Sequence, residues 1–233
     1  MNRESFLKHT LVASGVTFSA PFIRAQPVEA DTGRGPGKGP CSDLRKVYEF
    51  VQAAHLDLPK VKAMLATDSS LIHARWDWGD GDWKSGLEGA AHMGARDIVR
   101  YLLANGVRCD VFSAAMLGHT ETVKAMIDLE SATVDSHGPH GINLMFYVGY
   151  GGQTAMADAV LQHIPDRGPH CNRAIHTATL SNHVELVDWL IDNGATDINT
   201  PNFFEKTPLD AATERGFTKL AELLRENGGV SSK

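Results

Sequence analysis

The sequence predicts an all-α repeat solenoid of about six helix-turn-helix units, and three observations carry that expectation. Residues 207–229 read as one whole unit. Thr207 can cap a helix, Pro208 suits its first turn, and Leu209, Ala211 and Ala212 give a short helix with a small-residue face. Gly216 permits a tight turn; Leu220, Leu223 and Leu224 make a second apolar stripe, which Asn227-Gly228 ends. The second observation is recurrence. With Gly216 as the turn mark, equivalent marks fall at Asp57, Gly94, Gly118, Gly152 and Asn182, separated by 37, 24, 34, 30 and 34 residues. Four residues past the marks stand Val61, Ile98, Thr122, Met156, Leu186 and Leu220; eight past them stand Leu65, Leu102, Met126, Val160, Leu190 and Leu224. All but Thr122 are apolar. The third observation is the small pairs three and four residues before most marks, such as Ala53-Ala54, Ala90-Ala91 and Ala114-Ala115. Two short antiparallel helices cannot bury their apolar faces alone, so such units must stack on one another.

These residues carry a resemblance. The chain from about Asp43 to Gly229 resembles ankyrin repeats in Thr207-Pro208-Leu209 with Ala211-Ala212, Ile175-His176 with Ala178, Ala90-Ala91 with Gly94, Ala114-Ala115 with Gly118-His119, and the helix-ending Asn105-Gly106 and Asn193-Gly194-Ala195. The resemblance implies a loop or β-hairpin finger after each helix pair and a curved stack. Only the last unit keeps Thr-Pro, and only His176 occupies the first-helix histidine, implied to tie neighbouring repeats by hydrogen bonds.

Taken in order, residues 1–25 read as an export signal, with Arg3 and Lys8 before a moderately apolar run and Ala25 as a cleavage residue. Arg3-Glu4-Ser5-Phe6-Leu7-Lys8 resembles a twin-arginine signal with its second arginine replaced, and Ala30 marks an alternative cleavage point. The expectation is a periplasmic or secreted bacterial protein, cytoplasmic if the segment is not a working signal. The apolar run is too short for a spanning helix, so no stable membrane insertion is expected. Residues 26–42 are a Gly/Pro-rich linker; Gly37-Lys38 lacks the first glycine, the Ser/Thr and the preceding strand of a phosphate loop. Residues 43–229 form the repeat domain and 230–233 a disordered tail. The first unit starts its second helix at Asp57 and Pro59. A long finger, 69–85, then holds three of the four tryptophans. Between Gly106 and Val111 there are only four residues, so the row of fingers has a gap there. The third pair after the N-terminal cap carries Tyr147, Gly149, Tyr150, Gly151 and Gly152. Helix glycines cost about 1 kcal/mol each against alanine, which marks this unit as the least stable.

A net charge of −6 without a Lys/Arg cluster argues against nucleic acid as partner. Asp77, Asp80 and Asp82 do not have the spacing of a calcium loop, and His137 and His140 are two ligands where a metal normally needs three. Cys41, Cys109 and Cys171 are expected as free thiols, since Cys109 and Cys171 stand two repeats apart. No nucleophile has a base and an orienting acid in a recognisable pattern, so no catalytic, cofactor or metal residues are assigned. The expected function is a monomeric, non-enzymatic scaffold that binds a protein partner. Trp76, Trp78, Trp83, Phe203 and Phe204 are its candidate contacts, with Asp80 and Asp82 as polar rim, because exposed aromatics dominate interfaces. Against this stands tryptophan's tendency to fold back onto the repeats. The alternative is a small-molecule or sugar-binding, even hydrolytic, domain around His140, Tyr147 and Tyr150. A cavity between units two and four lined by histidines and carboxylates would favour it.

Overall fold

Every glycine or asparagine turn mark has the backbone that the expected register demands. In the computed structural model, which describes residues 43–232, Gly94, Gly118, Gly152, Asn182 and Gly216 all adopt positive φ, between 57° and 81°. These marks reverse the chain within the last five of six helix pairs, the first turning at Asp57 with φ −117°: α1 (Leu44–Ala53) and α2 (Leu58–Thr67), α3 (Gly86–His92) and α4 (Arg96–Ala104), α5 (Val111–Leu117) and α6 (Thr120–Leu129), α7 (Leu144–Gly151) and α8 (Thr154–Leu161), α9 (Gly168–Leu180) and α10 (Val184–Asp192), α11 (Pro208–Glu214) and α12 (Thr218–Glu226). The chain is an all-α solenoid of six helix pairs over the described residues. The export segment 1–25, the linker 26–42 and Cys41 lie outside them.

The first helices pack in sequence order, α1 on α3, then α5, α7, α9 and α11, while α6, α8, α10 and α12 form most of a second row. Reciprocal capping boxes start three first helices: Ser85 with Glu88, Asp110 with Ser113, and Thr207 with Asp210. Asp57 caps α2 through the Lys60 amide. The apolar rows are buried: Val61, Ile98, Met156, Leu186, Leu220, Leu102, Val160, Leu190 and Leu224 are all closed to solvent. Thr122, the exception in the pattern, is exposed, and the face of α6 shifts by one residue to Val123 and Ile127. α9 begins at Gly168, where Pro169 fits a first helical turn.

The glycines of α7 lie at close helix contacts. A Cβ on Gly149 would collide with Thr177 Oγ1 and the Ala174 carbonyl of α9, and one on Gly151 with the Ala115 carbonyl of α5. These glycines let neighbouring helices approach closely, and that packing works against the propensity cost expected of them. The chain end, expected as a disordered tail, is hydrogen-bonded. Val230 N donates to Asn199 Oδ1 at 2.8 Å and Ser232 N to Asp210 Oδ2 at 3.0 Å.

Candidate functional site

The first finger is a two-stranded hairpin, β1 (Arg75–Asp77) against β2 (Trp83–Ser85), with Trp76 opposite Lys84 and Asp77 opposite Trp83. Side chains alternate across a strand, so Trp76 and Lys84 share one face and Asp77 and Trp83 the other. The first face turns to α1. The Trp76 ring meets Tyr48 edge-on at 5.3 Å, and Trp78 lies 5.4 Å from Tyr48 and 5.9 Å from His55. Lys84, only 2% exposed, lies on this face with Nζ 5.2 Å from the Trp78 ring centroid. Trp76 thus folds back in part, as tryptophans on loops tend to do. Trp83, on the opposite face, stays 53% exposed.

The short connection between α4 and α5 holds no strand, and the finger that a longer repeat would place there is missing. Across this gap the loop before α7 reaches back to the first finger. His140 is held at φ 59°; its amide donates to Asp82 Oδ1 at 3.1 Å and its Nδ1–H to Asp82 Oδ2 at 3.0 Å. That leaves Nε2 as an acceptor, and Lys84 Nζ donates to it at 2.5 Å while lying 3.5 Å from Asp82 Oδ2. Burial opposes ionisation of Asp82, yet the His140 amide and the Lys84 ammonium together hold its carboxyl below the usual range. Burial lowers the pKa of Lys84, against the pull of Asp82.

Two further histidines extend this cluster along the helix ends. His92 lies 5.5 Å from His140 and His55 5.0 Å from His92, ring centre to ring centre. Each donates Nδ1–H to the carbonyl four residues back, His55 to Val51 at 2.8 Å and His92 to Glu88 at 3.0 Å. Burial pushes the His92 imidazole down to about 4 and lowers His55 in the same direction. Burial therefore favours the neutral form of both rings. Among the described residues no group of three or more His, Cys, Asp or Glu side chains is arranged to hold a metal ion.

Between the two segments lies a cleft of about 540 Å³, with Arg75, Asp80, Trp83, Glu88, His137 and His140 among its walls. Arg75 is tied to both oxygens of Glu88 at 2.8 Å, and Asp77 caps the Gly79 amide at 2.9 Å, so this part of the finger is internally fixed. Asp80 stands exposed at φ 53°. Asp82, expected on a polar rim, instead joins the two segments. Phe203 and Phe204 are 88% and 80% exposed on the connection between α10 and α11 and do not line the cleft.

Of the alternative set, only His140 reaches the cleft. Tyr147 is wholly buried, its hydroxyl lying under Gly138 without a partner, and Tyr150 packs against Gly94 with its phenol pushed up to about 12 by burial. His176 bonds the Thr200 carbonyl, the inter-repeat tie expected of it, and His183 Nε2–H donates to the Tyr150 carbonyl at 3.0 Å. His119, beside the turn at Gly118, is exposed. Cys109 and Cys171 are free thiols, with Cys171 pushed up to about 11 by burial. Sequence reasoning missed Tyr48, His55, Lys84 and His92. The one available signal was strand alternation, which puts Lys84 on the face of Trp76 rather than that of Trp83.

Residues 144–232 match the family model for ankyrin repeats (3 copies). Among curated proteins the chain is similar to the I-Kappa-B like protein C2 of Microplitis demolitor bracovirus (isolate Webb). The two are 37% identical over 57 residues, 24% of this chain and 32% of that protein, so the match spans about a third of the relative's length. Among solved structures it is similar to the human ASB11 ankyrin repeat domain, with a TM-score of 0.45 and 24% identity over 63% of this chain and 71% of that one.

Proposed function

We propose that this chain is a non-enzymatic scaffold that binds another protein along the edge carrying its fingers, anchored in the cleft between the first finger and the loop around His140. Ankyrin repeats generally mediate protein–protein interaction, and residues 144–232 match them. The observation that carries the assignment to this place is the cleft itself. Two segments cross-linked through Asp82 flank an open depression of about 540 Å³ beside a half-exposed tryptophan. A surface held rigid before binding loses little freedom when a partner docks, and an aromatic at a cleft lip is the side-chain type that dominates binding energy. Asp80 extends this surface; Trp78 instead packs on Tyr48 and His55 away from the cleft walls, and Phe203 and Phe204 offer a second contact on the last finger.

Trp83→Ala should weaken partner capture by at least tenfold while leaving the melting temperature within about a degree, because truncating an exposed side chain rarely costs stability. Quantitative pull-down by the wild-type and variant domains checks this. Unchanged capture would remove the cleft from the proposal. Export belongs to the same proposal, with the protein acting outside the bacterial cytoplasm. N-terminal sequencing of the native protein should then find a start after Ala25 or Ala30, and an intact Met1 would contradict it.

The cleft also favours a second reading, a small polar or sugar-like ligand, because Asp80 of the first finger, Glu88 of the second helix pair and His137 and His140 of the loop before α7 all line it. Saturation-transfer NMR against a panel of mono- and oligosaccharides separates the two. Transfer that vanishes in Trp83→Ala would support the ligand reading.

A further inference from the structure

We propose that Lys84, His140 and Asp82 form a proton-operated latch: one proton shared between lysine and histidine holds the walls of the cleft together, and a second opens it. The consequence for partner release rests on the function proposed above; the opening itself does not.

The geometry fixes the proton count. His140 Nδ1–H is committed to Asp82 at 3.0 Å, so Nε2 presents a lone pair, and Lys84 Nζ lies 2.5 Å from it. A hydrogen bond at that distance has room for one proton between the two nitrogens. Protonating the ring turns Nε2 into a donor facing a donor and sets two cations in contact on a lysine that is 2% exposed. Like charges at this distance repel, the more so because Lys84 is buried even though the His140 ring is 43% exposed. Asp82 cannot neutralise both, and among the described residues it is the sole carboxylate bonded to either group.

The remaining surroundings of His140 add no relief. On the α3 side stands the His92 ring at 5.5 Å, and behind it His55, 5.0 Å from His92; both are bases, and both sense Lys84 and His140 as like charges. Glu88, the acid on α3, is already held by Arg75 and by the Ser85 amide at 2.7 Å. Trp78 covers Lys84 with its ring face, which favours the ammonium and leaves the histidine as the group that must move. The movable part is the loop. Residues 131–143 carry two short 3₁₀ turns, a single bridge between His137 and Asn143, and a non-glycine residue at positive φ in His140 itself. The hydrogen bonds and ion pairs between residues 75–85 and this loop all run through Asp82, Lys84 and His140. Losing that set leaves the loop held to this side only by packing, with Pro139 buried against α3. The direction is fixed: closed at neutral pH, open in acid.

The test is an NMR titration of the domain from pH 8 to pH 5. It follows the His140 ring nitrogens, the His140 amide and the amides of residues 77–85, with residues 208–226 as an internal record of global folding. Protonation of His140 should coincide with shifts across 77–85 and at least a tenfold loss of exchange protection at the His140 amide, corrected for intrinsic rate, while 208–226 stay unchanged. His140→Gln, which cannot take up the second proton, should show no such transition. Lys84→Met, which removes the facing cation, should let His140 protonate against Asp82 with the amide still protected at pH 5. A wild-type His140 that titrates while residues 77–85 do not respond would overturn the latch. So would a His140→Gln variant that opens at the same pH as wild type. If the protein proves to have no partner at this cleft, these spectra remain decisive for the latch alone.

Discussion

Replacing Gly149 with alanine should destabilise the protein by about 3 kcal/mol or more, although helix propensity taken alone predicts a gain of about 1 kcal/mol. The two effects have opposite signs and the larger is steric. A methyl group at 149 would occupy the space of Thr177 Oγ1 and the Ala174 carbonyl oxygen, and Thr177 Oγ1 is itself fixed by donating to the Phe146 carbonyl at 2.7 Å. Relief requires α7 and α9 to move apart, which opens packing across a whole helix face. Gly216→Ala is the matching control. Its φ of 70° makes a side chain strained, but nothing lies within 4 Å of the added carbon, so only the backbone penalty of about 1–2 kcal/mol should appear. Urea unfolding of both variants measures the difference; equal losses would mean that α7 and α9 are not in contact at Gly149.

Acidification from pH 7 to pH 4 should cost several kcal/mol of stability, with His92 as the largest single contributor. Its pKa falls from 6.5 to about 4 on folding because burial disfavours the charged ring. Between those values the unfolded chain binds a proton that the folded chain does not, so stability is complete above about pH 6.5 and is lost as pH falls towards 4. At the acid end of this window the contribution is about 3 kcal/mol. His55, His170, His176 and His183 are all lowered by burial and act with the same sign. His92→Gln should therefore flatten the pH dependence of the denaturant midpoint. A wild-type midpoint that stays constant from pH 7 to pH 4 would contradict the burial of these rings.

The fold was legible because each of its determinants is local. A glycine at positive φ, an alanine pair and an apolar stripe all lie within one unit, and repetition shows which matches are not accidents. Where one unit departs from the others, as α6 does in burying Val123 and Ile127 rather than Thr122, the departure is also local, one step along the helix. The site was less legible because it depends on distance along the chain. The missing finger could be read from the four residues between Gly106 and Val111. That its absence brings His140 to Asp82 and Lys84 could not, since the contact joins residues 56 and 58 apart in the sequence. Tryptophans were readable as a cluster, yet which one stays exposed is decided by strand pairing, and that register places Trp76 and Trp83 on opposite faces. The glycines of α7 are a related case. Propensity describes an isolated helix, and the cost it assigns says nothing about a neighbour that needs the room.

The central claim is that two fingers on non-adjacent units meet across the gap left by a short connection. Nuclear Overhauser contacts between the Lys84 side chain and the His140 ring at pH 7.5 test it most directly. Cross-peaks from the Lys84 Cε protons to the His140 ring are expected, accompanied by contacts from Lys84 to the Trp78 indole. Strong Lys84–Trp78 cross-peaks without any to His140 would mean that the hairpin forms but the loop does not reach it. The cleft would then have no second wall.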